Sequence, residues 1–282
     1  MSEQTEWEKF RAQGIGSSDV AAILGLSPWM TKLQLWLYKT GAEKQPDISN
    51  QFQVRRGVEN EGKARAQIEL MAGEAYAPAL RVHKKYAFMR VSLDGQTECE
   101  KRICEIKVPG KETFARAEKG EVPDYYMAQI QYQLMVSEAE KCLFFCFHPE
   151  SGKHAQVWVE PDPAWFAKLR DAVIEFWDLV QSKVPPEASD KDYVRIPDPL
   201  GISTRYVEMK QKLREMDAEL EAMEVLIKEL ATHPASIVGS LRVTRYGRRG
   251  TIDYKKVPEL QGVDLEPYRK APTTQTRITV LQ

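Results

Sequence analysis

The segment VSLDGQTECEKRICEIKVPG, residues 91–110, constrains the fold of this chain more than any other stretch. In a strand over 102–108, successive side chains point to opposite faces. Ile103, Glu105 and Lys107 then share one face, and Cys104, Ile106 and Val108 share the other. A carboxylate and an ammonium therefore sit together on a strand whose far face is apolar. Asp94 ends the preceding strand just before Gly95, so a hairpin turning there returns Glu105 to its side. An exposed strand with a solvated Glu–Lys pair would give the same letters, so the neighbouring segments must decide.

Those neighbours alternate between helical and strand periods. A capped helix is expected over 15–25, with Ser17, Ser18 and Asp19 at its start and Gly25 at its end. Further helices are expected near 31–40, 57–71, 123–136 and 163–182. Three strands fall between Arg81 and Val108, with turns at Asp94-Gly95 and near 98–101, and two more near 141–147 and 154–160. This order predicts an α/β fold, a mixed central sheet flanked by helices. With 282 residues there is room for that domain, 1–185, and an appendage. A proline-rich linker follows over 186–200. From Tyr206 to Leu230 apolar residues recur at alternating spacings of three and four, a heptad-patterned helix expected over 201–233 that suits a coiled-coil contact. The tail, 234–282, has short strand-like runs and reads as a small β-rich element.

Composition narrows the function. The formal net charge is −1, too balanced for a protein that coats nucleic acid with a uniformly basic surface. Local basic patches remain, at 81–90, Arg55-Arg56 and 241–256. No apolar run approaches the roughly 20 residues of a membrane span, and the charged start lacks a secretion signal, so a cytoplasmic protein is expected. Cys99, Cys104, Cys142 and Cys146 lack CxxC spacing, which favours ordinary buried thiols over an iron–sulfur cluster or disulfides. The four histidines show no zinc spacing, and no Walker loop is present.

What chemistry suits Asp94, Glu105 and Lys107? Neighbouring carboxylates repel unless a cation shares the site. Magnesium relieves that repulsion, takes oxygen ligands, polarises a phosphate and acidifies a bound water. A lysine beside it can orient the water or stabilise charge on the phosphate. Glu61 lies in the stripe Gly57, Glu61, Ala64, Ile68, Met71, where a carboxylate on an apolar side needs a reason, unless it is simply a surface glutamate. Tyr126 and Gln129 are one helical turn apart and share a face; Gln129, Gln131 and Gln133 would also make an ordinary polar face.

The arrangement resembles the PD-(D/E)XK nuclease core, and the wider sequence resembles the lambda-exonuclease or YqaJ-type viral recombinase family. Four blocks carry the resemblance in order: Arg11 to Ser18-Asp19, RGVENEGKAR at 56–65, SLDG with CEIKVP, and YYMAQIQYQLMVS at 125–137. Leu93 stands where the family motif has proline. The resemblance implies Asp94, Glu105, the Ile106 carbonyl and Glu61 as metal ligands, with magnesium as the ion and manganese able to substitute. It implies Lys107 beside the attacking water, and Gln129 and Tyr126 ordering the site. Arg11, Ser18 and Ser92 match positions around a terminal 5′-phosphate, with Lys32 a further candidate contact; Ser18 could instead only cap its helix. The activity implied is a 5′→3′ exonuclease on double-stranded DNA ends, producing 3′ tails for phage-type recombination with a single-strand annealing protein. A homo-oligomer, by resemblance a trimeric ring, is implied too. An endonuclease on the same fold and a non-catalytic DNA-end-binding module are the alternatives.

Overall fold

The computed structural model describes residues 3–245 and divides the chain into two units, Met1–Val194 and Arg195–Gln282. In the first unit, five strands form one sheet in sequence order: β1 (Ala77–Val82), β2 (Arg90–Gln96), β3 (Arg102–Lys107), β4 (Lys141–His148) and β5 (Lys153–Val159). Only β3 and β4 are parallel; the other neighbours are antiparallel. A parallel pair needs a crossover connection. Helices α5 (Lys111–Glu118) and α6 (Asp124–Ser137), named here in chain order, supply it.

Both faces of the sheet are covered. On one, Ile103, Phe144 and Cys146 pack with α2 (Val20–Ile23), α3 (Lys32–Thr40), α6 and α7 (Pro163–Ser182). On the other, Ala64 and Ile68 of α4 (Phe52–Ala72) meet Cys104, Ile106, Leu143 and Phe145. The unbroken apolar run CLFFCF of β4 suits a strand buried on both sides. Phe144 and Phe145, each fully buried on opposite faces, contribute about 1.5–3 kcal/mol apiece. The mixed sheet flanked by helices agrees with the expected class.

Several boundaries differ, for identifiable reasons. Asp94 and Gly95 lie inside β2, and the chain reverses only at 98–101, where the second turn was expected. Gly95 serves close packing: a Cβ there would stand 2.7 Å from Cys104 Sγ and 2.9 Å from Tyr76 Cβ. β1 ends at Val82, so much of the basic run 81–90 is a loop. α4 begins at Phe52, five residues before the expected start, and α1 (Glu3–Ala12) and α5 were not anticipated. Cys104, Cys142 and Cys146 are buried, whereas Cys99 is exposed in the turn.

The expected helix over 15–25 shrinks to four residues because its first part pairs with the sheet. Ile15 N–H donates to the Phe88 carbonyl at 2.7 Å, and Arg90 N–H donates to the Ile15 carbonyl at 3.0 Å. Gly14 permits this approach, since a Cβ there would meet the Phe88 carbonyl oxygen at 2.1 Å. The contact lays residues 14–18 beside the start of β2.

In the second unit, α8 (Ile202–Leu230) is followed by a hairpin of β6 (Ala235–Val238) and β7 (Leu241–Thr244). The α8 seam residues Leu213, Met216 and Leu220 are exposed. The strand-like runs expected at 251–257 and 276–281 lie outside the described residues. Among the described residues, no helix is long and apolar enough to cross a membrane.

Gly14→Ala should lower stability by about 1–3 kcal/mol, because neither backbone can yield. Calorimetry reads this as a fall in Tm; an unchanged Tm would mean the segment does not need its contact with Phe88.

Candidate active site

Strands β2 and β3 hydrogen-bond at two positions only, Gly95 with Cys104 and Gln96 with Ile103. Beyond these the strands part, and the Asp94 side chain occupies the gap. Its Oδ2 accepts the Ile106 N–H at 2.7 Å, replacing a ladder bond with a carboxylate. The Asp94 carbonyl is satisfied from α4, where Arg65 Nε donates to it at 2.8 Å. The same guanidinium holds Glu61, four residues earlier on the helix.

Glu105 is buried and held from two sides. Gln129 Nε2 donates to Oε1 at 2.7 Å, and Gln133 Nε2 donates to Oε2 at 2.6 Å. Lys107 ion-pairs with Oε1, and its ammonium lies 5.0 Å from the centre of the Tyr126 ring. A carboxylate offers about four acceptor positions, so three donors leave Glu105 one.

The electrostatics are those of a site short of positive charge. Burial, then the nearby Glu105 carboxylate, push the Asp94 pKa well above the ordinary carboxylate value, and Lys107 only partly offsets them. Burial alone would depress the Lys107 pKa, but Glu105 and Asp94 outweigh it and hold the pKa above the usual lysine value. Burial also raises the Tyr126 hydroxyl pKa. Asp94, Glu61 and Ile106 line one cleft, so their oxygens can serve a common hard cation. Among the described residues, no group of three or more His, Cys, Asp or Glu side chains is placed to hold a metal ion by itself. Magnesium does not need one: it is commonly held by one or two carboxylates together with waters and substrate phosphate oxygens. The donor set fits such an ion.

Two cavities meet at these residues. The larger, about 870 Å³, is lined by Glu61, Asp94, Ile106, Lys107, Tyr125 and Tyr126 among others. The smaller, about 160 Å³, is lined by Arg11, Ser18, Ser92, Asp94, Glu105 and Lys107 among others. Asp94 and Lys107 belong to both.

The smaller cavity owes its shape to the segment laid against β2. Arg11 Nη2 donates to Ser18 Oγ at 2.7 Å and lies 3.6 Å from Asp19 Oδ1. Ser18 therefore does not cap a helix. Asp19 is buried, accepts the Gly16 N–H at 2.9 Å and pairs with Lys39 at 2.7 Å, which anchors Arg11 from behind. Trp7 Nε1 donates to Ser92 Oγ at 3.2 Å.

Nine of the ten side chains expected at the site thus converge, along with the Ile106 backbone. Lys32 does not: it pairs with Glu175 of α7 at 3.1 Å. Sequence reading missed Arg65, Gln133, Asp19 and Trp7 as site residues. The i, i+4 spacings Glu61–Arg65 and Gln129–Gln133 were the available signals. The three glutamines are not a solvated face, since Gln131 and Gln133 are buried.

Residues 6–140 match the family model of the YqaJ-like viral recombinase domain. A relative, the uncharacterized protein YqaJ of Bacillus subtilis (strain 168), is 26% identical over 261 residues, covering 79% of this chain and 76% of that protein. The fold is similar to the crystal structure of an alkaline exonuclease, LHK-Exo, from Laribacter hongkongensis. The TM-score is 0.55 at 22% identity, over 64% of this chain and 93% of that one. The structure of LHK-Exo in complex with dAMP matches equally well.

Because the folded pKa of Asp94 exceeds its unfolded value, its ionisation costs stability. The cost is absent below the unfolded pKa, grows as pH rises between the two values, and is full above the folded one. Asp94→Asn keeps an acceptor for the Ile106 N–H and removes that cost. Without metal at neutral pH the variant should melt a few degrees higher, each kcal/mol giving about 2–4 °C. Added magnesium should then raise the wild-type Tm by more than the variant's. Equal responses to magnesium would dismiss Asp94 as a ligand.

Proposed function

We propose that this chain is a magnesium-dependent exonuclease that degrades one strand of duplex DNA from a 5′-phosphorylated end, leaving a 3′ single strand for recombination by annealing. The observation that carries this reading is the sharing of Asp94 and Lys107 between a small polar pocket and a large cleft. The small pocket has room for several waters, enough for a phosphoryl group. A terminal phosphate seated against Arg11, Ser18 and Ser92 leaves the next phosphodiester beside Asp94 and Lys107, with the continuing strand in the cleft. Cleavage there releases a mononucleotide.

Asp94, Glu105, the Ile106 carbonyl and Glu61 would hold the ion, magnesium or manganese in its place, which when bound neutralises phosphate oxygens and makes a water acidic enough to attack. Lys107 donates towards that water or a non-bridging oxygen, its charge fixed by Glu105 and Asp94. Gln129 and Gln133 lock the Glu105 carboxylate so that it does not reorganise during reaction. Arg65 holds Glu61 and the Asp94 backbone at once. The planar fork of Arg11 suits bidentate binding of phosphate. The family supports a role in DNA recombination, and the reading extends to a single-strand annealing protein as partner, a trimeric ring and a cytoplasmic site of action.

Asp94→Ala should slow cleavage by about a thousandfold or more while duplex binding in calcium persists. The wild type should release label from the 5′ end of linear duplex first and leave closed circular plasmid intact. Nicking of the circle would replace the exonuclease with an endonuclease. Arg11→Ala should lose about tenfold or more of the preference for 5′-phosphate over 5′-hydroxyl ends; equal loss on both substrates would remove Arg11 from end reading.

A further inference from the structure

The small pocket contains a second guanidinium. Arg90, Ser92 and Asp94 lie at alternate positions of β2, and all three line this pocket. They form a row of cation, hydroxyl and carboxylate with steps of about 7 Å. Arg90 and Arg11 both line the pocket of about 160 Å³.

Arg90 is held in place without being neutralised. Its Nε donates to the Ala87 carbonyl at 3.0 Å, its Nη1 to the Phe10 carbonyl at 3.4 Å, and its guanidinium lies 5.0 Å from the centre of the Phe10 ring. These partners are uncharged, and no described carboxylate beyond α1 pairs with it. Arg11 differs, because it shares Asp19 with Lys39. Formally Arg11, Lys39 and Asp19 sum to one positive charge, and Arg90 makes two on that side of the pocket. A terminal phosphomonoester carries about −1.5 to −2 at neutral pH, whereas an internal diester carries one negative charge.

We propose that Arg90 is a second phosphate-binding residue of this pocket and selects a terminal phosphomonoester over a hydroxyl end. The inference rests on the exonuclease reading above and deepens it. Charge-assisted hydrogen bonds from a guanidinium are strong enough to give the selectivity. The stem of Arg90 also packs on Phe10, so a test must separate binding from support.

Arg90→Gln keeps most of the stem and removes the charge. On linear duplexes with 5′-phosphate or 5′-hydroxyl ends, the ratio of kcat/KM between the two should fall about tenfold or more. In the Arg11→Ala background, Arg90→Gln should lower the ratio further. A ratio within twofold of wild type, or no further fall in the Arg11→Ala background, would overturn the proposal, the second by making Arg90 only a support for Arg11. If Arg90→Gln melts below the assay temperature, Arg90→Lys carries the same test: an intermediate loss supports the proposal and a wild-type ratio overturns it. A wild-type enzyme that cuts linear DNA without any 5′-phosphate preference would instead sink the end-reading model itself.

Discussion

The parting of β2 from β3 is the constraint on which the rest of this unit depends. Two strands that stayed paired would bury their backbone groups in a ladder and leave no opening at mid-sheet. Here the ladder stops after two positions, and two side chains take up the unpaired backbone: the Asp94 carboxylate accepts from Ile106 and Arg65 donates to the Asp94 carbonyl, while α4 covers the far side. The opening becomes a polar cleft flanked by two hydrophobic clusters. Because buried polar groups need partners, the same bonds that satisfy the backbone also fix the side chains of the site.

The cleft is costly to keep in its apo form. Asp94 is driven towards protonation by burial and by Glu105, and the two glutamines on α6 hold Glu105 in place rather than letting it turn away. Such a constellation is destabilising by itself and favourable once a cation enters, which is the usual trade between stability and activity. Lys107 offsets part of the imbalance, and its pairing with Glu105 keeps its ammonium charged despite burial.

Much of this was legible in the sequence. The alternation of Ile103, Glu105 and Lys107 placed those side chains on one face, and the order of helices and strands gave a mixed sheet. The turn near 98–101 is where it was expected, but a second one was read at Asp94-Gly95 because that pair looks like a turn, whereas Gly95 is there to let Cys104 and Tyr76 come close. The helix over 15–25 was overread because its serines and aspartate suit a cap; pairing of Ile15 with the sheet could not be seen in local pattern. Gln133 and Arg65 escaped notice since their partners are distant in sequence and become neighbours only after α4 and α6 pack. Lys32 stands apart from the other candidates for the converse reason, as its partner Glu175 comes from the later α7.

The union of residues 14–16 with the edge of β2 through a pair of main-chain hydrogen bonds has an evolutionary corollary. On the proposed reading, the groups that would recognise a strand terminus arrive on this amino-terminal strap or on the first residues of β2, while the hydrolytic groups come from farther along β2, from β3 and from helices α4 and α6. On the proposed reading, exchange of the polar side chains on the strap would change which DNA end is admitted, while Ile15 stays in the core and Tyr132 of α6 keeps its bond to the Ile15 carbonyl. If that reading holds, a lineage built this way could exchange end-trimming for internal cutting without reinventing its chemistry.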